Sequence, residues 1–171
     1  MYTLKELRER KSVRGYSDES LPEDMRNALN AEATFVNCHE SGLNFQVRFD
    51  DPDPFKGFSR SYGMFHGVRN YLAVIIDPTF GFAAERAGYY AEEFVMKAVS
   101  LGLGTCFVGG TFSRSATDVR MEVYEKMPFI VAFGHAASGT PLIGRVSAAM
   151  IHRKKMDPSQ FFDGTVKEYA E

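Results

Sequence analysis

In NYLAVIIDPTFGFAAERAGYYAEEFVMKAVSLGLGTCFVGG, residues 70–110, a continuous apolar run gives way to a three- and four-residue repeat, then to a second, shorter apolar run. Asn70–Ile76 reads as a strand covered on both faces, and Asp77-Pro78-Thr79 ends it. From Phe82 to Leu101 the residues Ala87, Tyr90, Ala91, Phe94, Ala98 and Leu101 recur at helical spacing, which predicts a long helix with one buried stripe. Its small residues Ala83, Ala84, Ala87, Gly88 and Ala91 would let another helix approach, in the same subunit or a second one. Thr105–Val108 predicts a short strand. Gly102, Gly104, Gly109 and Gly110 place four glycines in nine residues around it, so the backbone turns tightly and something can approach it closely.

Working outward, Leu43–Phe49 alternates apolar and polar residues as a half-buried strand does. Before it, Ser20-Leu21-Pro22-Glu23-Asp24 predicts a helix start with Ser20 as cap and Pro22 in the first turn, running to about Ala33. Residues 3–9 predict a short helix capped by Thr3, and Asp51-Pro52-Asp53-Pro54 breaks regular structure ahead of a loop or short helix over 55–68. Beyond the glycines, Ser113–Lys126 predicts a helix, Phe129–Gly134 a buried strand, and Arg145–Ile151 a further strand or irregular chain. Helix and strand alternate around one mixed sheet with no internal repeat or linker, which predicts a single domain over 1–171.

The 171 residues suffice for one core, or for one subunit of an oligomer. A net charge of -2 spread along the chain lacks the basic footprint of a nucleic-acid binder. The longest apolar run, Tyr71–Ile76, is far short of a membrane span, and the charged first residues carry no export signal. Two cysteines, Cys38 and Cys106, stand apart without metal or disulfide spacing, so a reducing cytoplasm is expected.

Familiar catalytic constellations are missing. Cys106 lies in an apolar, glycine-flanked strand, where a buried and unreactive thiol is expected. His39, His66, His135 and His152 are isolated from one another and from paired acids, so no metal is expected. The glycines follow a helix and do not form the GxGxxG turn that a dinucleotide site needs between strand and helix. What remains is the basic stretch Arg10-Lys11-Ser12-Val13-Arg14, which is either a solvated face or a phosphate cradle in which guanidinium groups and a hydroxyl meet an anion. With it go the Gly109-Gly110 turn and a second basic group, Arg153-Lys154-Lys155.

Arg10-Lys11-Ser12-Val13-Arg14-Gly15-Tyr16 resembles the RxSxRx(F/Y) opening of the nitroreductase-like flavoproteins. Gly88-Tyr89-Tyr90-Ala91-Glu92-Glu93 and Leu101–Phe112 resemble the same family's central helix and the glycine turn after it. Tyr62-Gly63 and Gly67–Val74 look most like a divergent branch of that family, and the similarity spans about residues 8–155. The resemblance implies an α+β fold with a mixed sheet flanked by helices, a long central helix at a homodimer interface, and FMN at the subunit boundary. It further implies electron transfer from NADH or NADPH to a nitroaromatic, quinone or similar acceptor in ping-pong order, with the flavin rather than a side chain carrying the chemistry. Arg10, Lys11, Ser12 and Arg14 would hold the phosphate and ribityl chain, Val108, Gly109 and Gly110 would lie along the isoalloxazine, and Arg153 or Lys155 would close over the phosphate.

The sequence departs from the family in two places. A partner-contributed PSxxNxQPW-like segment is reduced to Glu40–Val47, which keeps Ser41, Asn44 and Gln46 without the prolines and tryptophan. Ser41 and Asn44 are therefore either flavin contacts or the exposed face of a strand. The chain after Lys155 is also shorter than the tail such proteins wrap around a partner, so either the tail is dispensable or FMN affinity is reduced. The alternative function is a degenerate flavin-fold protein that binds without turnover.

Overall fold

The computed structural model describes residues 10–57 and 63–137, together with Leu7 and Ser61. The elements predicted over 3–9 and 145–151 lie outside the described residues. Helix α1 (Glu23–His39) is followed by strands β1 (Leu43–Arg48) and β2 (Asn70–Ile76), helix α2 (Ala83–Ser100), and strands β3 (Gly104–Val108) and β4 (Lys126–Gly134). The four strands form one sheet in the order β1-β2-β4-β3, every neighbouring pair antiparallel. The α+β class stands, but the mixed sheet expected from the sequence does not. The helical crossover makes β2 and β3 run the same way, yet β4 enters between them and pairs with both. Among the described residues, parallel pairing survives only as isolated bridges, Ser12 with Thr105 and Gly15 with His66.

All seven residues of β2 are buried, because both faces of the sheet are covered. On one face α1 and α2 pack Leu29, Val36, Phe94 and Val95 against Phe45, Leu72, Val131 and Phe133. Phe94 and Phe133 meet edge-on with centroids 5.5 Å apart, and burying each such ring stabilises the fold by about 1.5–3 kcal/mol. The other face is covered, among the described residues, by side chains from loops rather than by α1 or α2. Tyr16, Phe55, Phe65 and Phe112 cover Tyr71, Ala73, Ile75, Cys106 and Ile130 there.

Helix α1 starts on Pro22, with no side-chain cap, rather than on Ser20. It also runs well past Ala33, because Asn37 ties its last turn to β1. The Asn37 side chain accepts from the Phe45 N–H at 2.6 Å and donates to the Phe45 carbonyl at 2.8 Å. Ala87 and Ala91 on α2 are fully buried in the chain's own core. The small residues let α2 settle against α1 and the sheet of its own chain, so the helix that comes close is one of the same subunit. Gly88 is half-buried, with nothing within 4 Å of a Cβ built there.

The helix predicted over 113–126 is absent except for a single 3-10 turn at Arg114–Ala116. This stretch instead crosses that second face, and several of its backbone groups pair with distant parts of the chain. Ser113 N–H donates to the Pro54 carbonyl at 2.9 Å. Asp118 N–H donates to the Tyr71 hydroxyl at 3.2 Å. Gln46 receives the Arg120 N–H at 3.1 Å and donates to the Arg120 carbonyl at 2.6 Å. With its polar groups paired in this way, the segment has no need of helical bonds.

Candidate functional site

The basic segment is fastened along β3. Val13 N–H donates to the Thr105 carbonyl at 2.8 Å, His66 N–H to the Arg14 carbonyl at 3.0 Å, and Tyr16 N–H to the His66 carbonyl at 2.9 Å. The Tyr16 hydroxyl, buried beneath the segment, donates to the Val13 carbonyl at 2.7 Å and also lies 3.2 Å from the Ala132 carbonyl. Burial, with the Cys106 thiol beside it, pushes the Tyr16 phenol well above its ordinary range. Gly104 makes the close approach possible, since a Cβ there would lie 2.7 Å from Val13 Cγ2. Arg10, Lys11 and Val13, with Gly102, Leu103 and Gly104, line a small cavity of about 190 Å³ at the base of β3.

The side chains of this segment meet over the middle of the strand. Burial pushes the Cys106 thiol up, while the Arg14 guanidinium, the Ser12 hydroxyl and Arg10 pull it the other way. Cys106 is buried, as expected, and its polar surroundings come from residues far away in sequence. Arg10 also reaches Glu92 on α2 at 3.5 Å. Burial raises the Glu92 carboxyl and Arg10 opposes that rise. Lys11 and Ser12 are exposed. Thr105 is 1% exposed and its hydroxyl has no partner.

Cys106 and Val108 belong to the same covered face of the sheet, about 7 Å apart along the strand. The sequence-predicted residues Ser12, Arg14 and Val108 are thus brought together along one strand. Gly109 and Gly110 follow at its open end. Both are exposed, and a Cβ built on either meets nothing within 4 Å. One residue the sequence did not single out, Arg114, holds this turn. Its Nη2 donates to the Gly109 carbonyl at 2.8 Å and the Pro128 carbonyl at 3.1 Å, and its Nε to the Met127 carbonyl at 3.1 Å. A larger open cleft of about 430 Å³ lies beside the segment, lined by Asp18, Asp50, Phe55, Phe65, His66 and Arg69 among others.

Ser41 and Asn44 do not join this cluster. They belong to the β1 side of the sheet, opposite β3, about 14 Å away at ordinary strand spacing. Asn44 Nδ2 donates to Glu125 at 3.4 Å and its Oδ1 accepts from Gln46 at 3.3 Å. Ser41 is exposed, and its carbonyl accepts from Arg86 at 2.8 Å. Arg86 also pairs with Glu40 at 2.8 Å, and Tyr90 donates to Glu40 at 2.5 Å. The Tyr90 hydrogen bond first, then Arg86, holds the Glu40 carboxyl below its usual range. Arg153 and Lys155 lie outside the described residues.

No curated protein sequence matches the chain. Among solved structures, an oxidoreductase containing FMN superposes with a TM-score of 0.71 at 16% identity, covering 97% of this chain and 93% of its own. A nitroreductase family protein of Clostridium difficile 630 gives a TM-score of 0.66 at 13% identity, covering 96% and 99%. A nitroreductase with bound FMN from Bacteroides fragilis gives 0.62 at 18% identity, covering 81% and 90%. At these identities the likeness is one of fold. Among the described residues, no helix is long and apolar enough to cross a membrane. The sequence profile described as "Putative TM nitroreductase" matches residues 2–168, nearly the whole length, and the chain belongs to that family.

Proposed function

We infer that the chain is an FMN-dependent oxidoreductase that passes electrons from NADH or NADPH to a nitroaromatic, quinone or similar acceptor in ping-pong order. The observation that carries this reading is the alignment, along one strand, of the Arg10/Ser12/Arg14 cluster, Val108 and the unobstructed Gly109-Gly110 turn. The residues fit the cofactor. Exposed Lys11 and Ser12, with Arg10 and Arg14 beside them, offer charge-assisted donors to a phosphate dianion. The turn beyond Val108 has no side chain to bar a flat ring from the backbone.

FMN when bound supplies the two-electron chemistry that no side chain here provides. The protein's own work is to bind and orient. Arg10, Lys11, Ser12 and Arg14 hold the phosphate and ribityl end. Val108 is buried in the core and anchors the turn from beneath, and Gly109 and Gly110 present backbone to the ring's edge. Because Ser41 and Asn44 lie on the opposite side of the sheet from β3, any contact they make with that ring comes from the second subunit of a homodimer. The nicotinamide and the acceptor take the same open side in turn.

The purified protein is expected to carry flavin absorbance or to take up added FMN. NADH or NADPH then bleaches it anaerobically, and a quinone restores the colour. A protein that takes up no FMN refutes the reading. Flavin that stays oxidised under NADH and NADPH establishes the non-catalytic binding protein instead.

A further inference from the structure

We propose that Arg114 is the positioning residue of the cofactor site, fixing the Gly109–Gly110 peptide so that the Gly110 N–H faces outward to hydrogen-bond the edge of the bound ring system. The inference rests on the FMN reading of this site. Its physical basis is the fork at Arg114, which grips the carbonyls of Gly109, Met127 and Pro128 at 2.8, 3.1 and 3.1 Å. The guanidinium also lies 4.8 Å from the centroid of the Phe112 ring, and Phe112 is itself buried against Phe55. Four contacts from one planar group leave it little freedom.

The consequence for Gly110 follows from peptide geometry. The Gly109–Gly110 peptide is trans, with no cis bond among the described residues, and in a planar trans peptide the C=O and the following N–H point in opposite directions. With the Gly109 carbonyl drawn back to Arg114, the Gly110 N–H points away from it. No acceptor among the described residues takes that N–H, and the space around both glycines is open. A guanidinium on the carbonyl also polarises the peptide and strengthens the N–H as a donor. A preoriented donor of this kind stabilises charge that develops on the ring edge without reorganising. Lysine would keep the charge but not the fork, since one ammonium cannot span three carbonyls with the same planar geometry.

The experiment uses the full chain, wild type and the variants Arg114→Lys and Arg114→Gln, with FMN as the probe. In the wild type, FMN is expected to slow exchange of the Gly110 amide at least tenfold by NMR. Arg114→Gln is expected to weaken FMN binding about tenfold and abolish that protection, and Arg114→Lys to restore neither fully. The midpoint potential is the readout that a merely structural role leaves untouched. A further tenfold loss confined to the reduced cofactor lowers it by about 30 mV for a two-electron couple. Folded variants with wild-type affinity, potential and Gly110 protection overturn the proposal. So does a wild type that binds FMN with its Gly110 amide unperturbed, a result that does not depend on either variant folding. A wild type that takes up no FMN marks failure of the functional reading itself.

Discussion

Gly104→Ala tests how the basic segment is seated on β3. The new Cβ would lie 2.7, 2.9 and 3.0 Å from Cγ2, Cβ and Cγ1 of Val13. Val13 cannot swing aside freely, because its N–H is bonded to the Thr105 carbonyl at 2.8 Å and its carbonyl to the Tyr16 hydroxyl at 2.7 Å. Overpacking of this kind costs about 1–3 kcal/mol, and moving the segment instead sacrifices two hydrogen bonds worth about 1 kcal/mol each. Gly104 has no left-handed backbone to strain, so alanine recovers about 0.4–1 kcal/mol by restricting the unfolded chain. The net expectation is a loss of about 1–2 kcal/mol. For a chain of this length that is a fall in Tm of about 2–8 °C.

Val13→Ala separates the clash from other causes. Alone it removes half-buried methyl groups and costs about 1 kcal/mol. Combined with Gly104→Ala it also removes Cγ2 and Cγ1 from the collision and leaves only the Val13 Cβ at 2.9 Å, so the double variant should be more stable than the sum of the single losses by about 1 kcal/mol. Urea denaturation followed by circular dichroism measures the cycle, and FMN fluorescence quenching reads the site in the same four proteins. Affinity should fall in Gly104→Ala and recover in part in the double variant. A Gly104→Ala protein as stable as wild type, or a penalty unchanged in the Val13→Ala background, refutes the reasoning.

Gly67→Ala should cost more than Gly104→Ala, about 3 kcal/mol or more, as φ is +67° and the Cβ would lie 2.2 Å from the Tyr16 carbonyl oxygen; wild-type stability in a denaturation curve would count against it. Tyr71→Phe removes a hydroxyl that donates to Asp51 at 2.5 Å and receives the Asp118 N–H at 3.2 Å. It should cost about 1–3 kcal/mol by leaving the Asp118 N–H without that acceptor, and it should loosen residues 117–120 in hydrogen exchange. The Arg26 hydrogen bond, then the charges of Arg26 and Arg69, hold the Asp50 carboxyl below its ordinary value. A depressed carboxyl contributes stability that is present above its unfolded pKa and is lost as pH falls through the folded one. Asp50→Asn, which keeps a residue tolerant of the φ of 55°, should therefore lose less stability than wild type between about pH 5 and 3. The difference should be about 0.2–1 kcal/mol for so exposed a pair; identical acid limbs in thermal melts would show the pairing to be worth nothing.

The apolar runs at Asn70–Ile76 and Phe129–Gly134 and the helical repeat from Phe82 to Leu101 locate β2, β4 and α2, because burial on these elements is repeated every few residues and leaves a periodic trace. The stretch 113–126 leaves none. Its backbone partners are Gln46, Tyr71 and Pro54, which no local pattern connects to it, and its scattered apolar residues look helical for want of that information. Ala87 and Ala91 are ambiguous for a related reason. A stripe of small residues says that something comes close, and a helix settling on its own sheet leaves the same mark as one settling on a neighbour.

The site divides along the same line. Arg10–Arg14 and Gly109-Gly110 stand out because charge and missing side chains are visible one residue at a time, whereas their convergence depends on one bridge, Ser12 to Thr105. Gly104 hinted at that bridge, since a glycine entering a strand marks a close approach, although nothing said that Val13 would be the neighbour. Arg114 gave no hint at all. An arginine between two serines reads as surface, and its importance appears only when β4 brings Met127 and Pro128 beside the Gly109 carbonyl. The contrast between Asn44 and Arg114 sharpens the functional reading. Asn44, kept from the family's pattern, is bound to its own chain opposite β3, while Arg114, which no motif marks, grips the turn where the ring would lie. If the site works within one subunit, Arg114→Gln should disturb FMN and Asn44→Ala should not. If the ring is shared across a dimer, both should, and a mixed dimer carrying each variant on a different chain would keep one intact site.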